Sequence, residues 1–138
     1  MAKISFDGLV DLLGSYERLA RIPDSVLDEM LGAEADVIAP TIKKTAETML
    51  HGKYYQGDVA GSVTIKAPQT IKGQRIRYIT FDGTAHKNRI SEIAFINEYG
   101  KTNQNARPFI LNAINQSVDE ATDKAANILF NYEQSIGL

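Results

Sequence analysis

The sequence predicts an α+β domain in which long amphipathic helices pack on one face of a small antiparallel sheet. Two observations carry that prediction. Apolar residues recur at steps of three and four at both ends of the chain, and at steps of two in the middle. The middle is also punctuated by Gly and Pro at the spacing of short strands. The predicted order is helix, helix, three strands, helix. At 138 residues the chain suits a single domain spanning 1–138.

The first helix opens near Ser5, which suits an N-cap, with Asp7 in the favourable first turn. Phe6, Leu9, Leu13, Tyr16 and Ala20 give it one apolar face. Gly8 and Gly14 weaken it by roughly 1 kcal/mol each relative to alanine. Such a helix needs a surface to lean on.

Pro23 fits the first position of a second helix, where its missing N–H costs nothing. Leu27, Leu31, Ala35, Ile38, Ile42, Ala46 and Met49 keep one apolar phase on both sides of Pro40. One long helix kinked at Pro40 is expected, ending near His51 and Gly52. From Gly57 the period becomes two, with Val59, Gly61, Val63 and Ile65 on one strand face, and Pro68 ends that strand. After a loop over 67–72, a second strand is expected over Gln74–Phe81, broken by Asp82-Gly83. A third is expected over Ile90–Asn97. Pro108 then opens the last helix, whose apolar face reads Ile110, Ile114, Val118, Ala121, Ala125, Ile128 and Tyr132.

Composition removes several function classes. A net charge of −2 disfavours a strongly cationic nucleic-acid binder. With no cysteine there is no disulfide framework, thiol nucleophile or cysteine-ligated metal. The apolar runs are far short of the roughly 20 residues that cross a bilayer. No basic leader precedes an apolar core, so no secretory signal is expected. The two histidines lack metal-ligand spacing: His51 suits the end of the second helix, and His86 lies in a polar loop near Asp82 and Glu92. Ser62 follows Gly61 without the second glycine of a nucleophile elbow. Gly52, Gly57 and Gly61 precede a strand rather than the helix of a phosphate loop. No catalytic, metal or cofactor site is expected.

Two constellations remain. Lys66, Lys72, Arg75, Arg77, Lys87 and Arg89 are a modest basic cluster, with Arg75 and Arg77 on one strand face around Ile76. It suits either a solvated sheet face or a positive stripe facing phosphate or an acidic neighbouring subunit. Glu98-Tyr99-Gly100, followed by Pro108-Phe109, reads as a structural clasp. Gly100 reverses the chain, Glu98 lies near the positive end of the last helix, and Phe109 plugs the gap beneath it.

With those residues in view, the chain resembles the small neck or tail-completion proteins of long-tailed bacteriophages. Gly57, Val59, Ser62 and Val63 match a glycine-led strand of that family. Glu98, Tyr99 and Gly100 match its acid–aromatic–glycine ending, and Arg107, Pro108, Phe109 and Ala113 match the opening of its last helix. Phe6-Asp7-Gly8-Leu9 is similar to its start, whereas Lys101–Ala106 carries no family signature. The resemblance implies a structural virion protein without catalytic residues, assembled in the bacterial host's cytoplasm. It would join heads to tails as a homo-oligomeric ring, with other neck, head-completion or tail proteins as partners and genome DNA as a nonspecific contact. A minor head or tail-tube terminator is the nearest alternative, and a small hydrolase using His86 a more distant one. The polar loops 67–72, 82–90 and 100–107 are the expected docking elements.

Overall fold

A computed structural model of the protein describes residues 22–50 and 57–137. The expected helix over residues 5–20, His51 and Gly52 lie outside the described residues.

Helix α1 spans Asp24–Met49, with Pro23 as its N-cap rather than its first helical residue. The Pro23 carbonyl accepts the amides of Val26 and Leu27, and Asp24 places a negative charge in the first turn. The helix continues through Pro40, which lies on its exposed face. There the carbonyl orphaned by the missing N–H, that of exposed Asp36, belongs to a residue facing water. Leu50 then ends the helix in an extended conformation.

Where a glycine-led strand was expected, Gly57 adopts φ 82° and starts a single turn of helix, α2, over Asp58–Gly61. Only then does the chain extend. Strand β1 is Val63–Ile65, β2 Gln69–Ile71, β3 Gln74–Ile76, β4 Ile79–Phe81, β5 Thr84–Ala85 and β6 Asn88–Arg89. They form three two-stranded antiparallel ladders rather than one three-stranded sheet: β1 with β4, β2 with β3, β5 with β6. Val63 faces Phe81 and Ile65 faces Ile79 in the first ladder. The expected strand over Gln74–Phe81 is interrupted at Arg77 and Tyr78, although Lys66 still bonds the Tyr78 carbonyl. The expected loop over 67–72 contains β2. Two tight turns complete these hairpins. Lys72-Gly73 and His86-Lys87 all have positive φ, the twist that suits two-residue hairpin loops.

The largest departure is the third expected strand. Residues Ile90–Tyr99 are a helix, α3. Ile90, Ala94, Asn97 and Glu98 point inward at helical spacing, while Phe95 in the same apolar run points out. An unbroken run such as Ile93-Ala94-Phe95-Ile96 fits either period, and packing decided it.

The last helix, α4, spans Phe109–Ser135 and lies antiparallel to α1. At one end the Thr45 hydroxyl donates to the Phe109 carbonyl at 2.9 Å. At the other, Met30 packs with Ala125 and Leu129. The buried ridge of α4 is Phe109, Ala113, Ser117, Ala121, Ala125, Leu129 and Glu133, at a strict step of four. It shares only Ala121 and Ala125 with the expected face. Small side chains let two backbones approach closely, and that contact outcompeted the bulkier Ile110–Ile114–Val118 row. Around Phe109, the main core gathers Ile42, Ala46, Leu50, Val59, Ile90 and Ala94.

Candidate functional site

The α3–α4 connection joins the residues singled out in the sequence. Gly100 has φ 79° and ψ 178°, a region essentially reserved for glycine. A Cβ there would lie 2.9 Å from both the Ala106 amide nitrogen and the Gln104 carbonyl oxygen. The chain then folds back over Lys101–Gln104, and the Arg107 amide donates to the Asn97 carbonyl at 2.6 Å. Gln104 adds a side-chain bond to Asn97. This brings Pro108 to the start of α4, with the preceding residues pinned to α3.

Glu98 acts across that turn. One carboxylate oxygen accepts the Ile110 amide at 2.7 Å and the other the Leu111 amide at 3.2 Å. Pro108 makes no side-chain cap and has no amide proton. The Phe109 amide bonds the Arg107 carbonyl, and the Asn112 amide bonds that of Pro108. Every backbone donor of the first turn is therefore placed, two of them by a carboxylate borrowed from another helix. Phe109 is fully buried and meets Phe81 edge-on, with ring centroids 5.8 Å apart. Glu98 thus sits at the end of a helix, not of a strand as expected, and the turn at Gly100 is a helix-to-helix turn.

Tyr99 differs from its neighbours. It is 69% exposed and packs at a tilt against Phe95, itself 62% exposed, with ring centroids 4.8 Å apart. Beside this pair, Ser91, Glu92, Phe95 and Ile96 line a shallow, open groove. Phe95 was missed in the sequence because a strand, although it puts i and i+4 on one face, holds the two residues about 13 Å apart, too far for the rings to touch. Read as a helix, the run places the two aromatics at i and i+4, on one face.

The basic pair, Arg75 and Arg77, is engaged within the fold. Both carboxylate oxygens of Asp28 on α1 engage Arg75, at 2.6 and 2.9 Å, and Arg75 also donates to Thr70. This fork holds the Asp28 carboxyl below its ordinary range, the hydrogen bond with Arg75 being the chief cause. Arg77 donates to the Lys66 carbonyl, and its guanidinium lies against Gly32 of α1. The two arginines fasten the hairpin to α1 rather than presenting a free cationic face.

The loop histidine and its expected neighbours also separate. His86 faces Asp58 at 3.6 Å, Asp82 pairs with Lys66 and Thr80, and Glu92 accepts Arg89. Among the described residues, no three His, Asp or Glu side chains converge as metal ligands. None of the described helices is long and apolar enough to cross a membrane. One buried acid lies apart from all of this. Glu34 on α1 is 4% exposed, one of its oxygens has no hydrogen-bond partner, and burial pushes its pKa up to about 7.

Comparisons with protein-family models, curated proteins and solved structures gave no match to this chain. The geometry above therefore defines a class only: an α+β domain with a pinned helix–helix turn and an exposed aromatic pair.

Proposed function

We propose that this chain is a structural protein of the bacteriophage head–tail junction, completing a neck or tail so that heads and tails join. The observation that carries the reading is the Phe95–Tyr99 pair, held in the open by the same turn that bears the motif residues Glu98, Gly100, Pro108 and Phe109. Contiguous exposed apolar side chains mark interaction surfaces more often than scattered single ones do. Aromatic residues are also favoured at the centres of protein interfaces. The partners in this reading are other copies of the chain in a ring, together with neck, head-completion or tail proteins. Contacts of that kind are heterologous and close when the rotation permits. Contact with DNA is no part of the proposal, because Arg75 is already paired.

The test is electron microscopy of lysates from a phage lacking this gene, complemented with wild type or with Phe95→Ser/Tyr99→Ser. Filled heads and separate, finished tails are expected without the gene and with the double substitution. Heads joined to normal tails in the gene's absence would overturn the assignment. Full rescue by the double substitution would overturn the role of the aromatic pair.

A further inference from the structure

Two apolar faces of the molecule are exposed to solvent. One is the Phe95–Tyr99 pair on α3, near the start of α4. The other is a row on α4, in which Val118, Thr122, Ala126 and Phe130 follow at steps of four beside the buried ridge. Val118 is 42% exposed and Phe130 57%, and Thr122 and Ala126 are exposed as well. The row is about 18 Å long, and its two small side chains leave a dip between the larger ends. Glu98 holds the Leu111 amide, and the middle of the dip lies roughly 20 Å farther along α4. The aromatic pair of a chain therefore cannot reach that chain's own dip.

The charges around the two faces are of opposite sign. Lys87, at the turn of the β5–β6 hairpin that leads into α3, and Lys101, just past the Gly100 turn, are exposed and form no ion pair among the described residues. Arg89 and Glu92 between them neutralise each other. On α4, exposed Asp119 and Asp123 stand three positions before Thr122 and Ala126, hence beside them on the helix surface. They too are unpaired among the described residues, whereas Glu120 and Lys124 pair with each other. We propose that the Phe95–Tyr99 pair of one copy seats in the Thr122–Ala126 dip of a second copy, with Lys87 and Lys101 facing the second copy's Asp119 and Asp123. This contact rests on the reading of the aromatic pair as an assembly surface and supplies what covers it. Like faces do not pair, because cation would meet cation or acid meet acid. The contact is heterologous, so each copy keeps one face free for the next and the chain of contacts closes into a ring when the rotation permits.

The absence of native cysteine makes this directly testable in the full-length protein. Ser91→Cys, which lines the groove beside Phe95 and leaves both aromatics in place, is mixed in concentrated solution with Thr122→Cys and a short bis-maleimide. Ser91→Cys mixed with Gln116→Cys, on the polar flank of α4, is the control. Docking raises the effective concentration of the paired thiols, so the Ser91–Thr122 heterodimer should form roughly tenfold faster than the control or either homodimer. Asp119→Lys/Asp123→Lys in the Thr122→Cys chain should abolish that advantage, and Lys87→Glu/Lys101→Glu in the other chain should restore it. Equal rates in all mixtures, or a Thr122→Cys thiol shielded from maleimide within its own chain, would overturn the proposal. A preferred Ser91–Ser91 homodimer would also overturn it, while leaving the aromatic pair an assembly surface. The phage complementation with Phe95→Ser/Tyr99→Ser separately decides that broader reading.

Discussion

The Glu98 carboxylate lies 2.7 Å from the Ile110 amide, so a side chain at the end of one helix completes the first turn of another. The positive end of α4 and the charge of Glu98 reinforce each other in a site that is 9% exposed. Substituting Glu98→Gln keeps the shape, removes the charge and turns an amide group toward one of the two donors. Urea unfolding should show a loss of about 1–3 kcal/mol. A change within error would mean that water satisfies these amides as well as the carboxylate does.

Gly100 is a second fixed point of the turn. Alanine there must adopt φ 79° and place its Cβ 2.9 Å from two backbone atoms. Backbone cannot yield as a flexible side chain can, so Gly100→Ala should cost at least about 1–3 kcal/mol. Thermal melting measures it. An unchanged melting temperature would show that the Gln104–Ala106 segment rearranges freely.

Glu34 makes stability depend on pH in the direction opposite to most paired carboxylates. Its folded pKa, about 7, is above its ordinary value of 4.5, so the folded state holds the proton more tightly. The stabilisation is fully present below pH 4.5 and is lost as pH rises through 7. It amounts to about 3 kcal/mol on the usual conversion. Asp28 acts in reverse: its lowered pKa stabilises the fold above 3.8 and that support is lost in acid. Chemical denaturation from pH 4.5 to 8 should therefore show falling stability in the wild type and a flatter profile in Glu34→Gln. Parallel profiles would remove Glu34 as the source.

The Arg75–Asp28 fork is a tether, and a charge swap distinguishes it from a DNA-facing surface. Arg75→Asp and Asp28→Arg should each lower the melting temperature, whereas the double swap should recover part of the loss. A small but measurable favourable coupling is expected for a pair this accessible. Strict additivity would show that the two side chains do not depend on each other.

Much of this protein was legible in its sequence because the physics involved is local. The α1 stripe, the opening of α4 at Pro108, the break at Pro68 and the glycine turn at residue 100 follow from side-chain period and backbone sterics. Glu98, Gly100 and Phe109 stood out for the same reason: acid, glycine and aromatic each suit one position near a helix start. What the tertiary structure decided was non-local. Whether Ile90–Tyr99 is strand or helix depends on what buries Ala94, not on the run itself. Which face of α4 turns inward depends on how closely Ala113, Ser117 and Ala121 let α1 approach, a packing energy invisible to a count of apolar residues. The partner of Arg75 lies 47 positions away in the chain, a distance that no periodicity spans. Local pattern fixes where backbone can bend and which residues avoid water, and only close packing settles which of them meet.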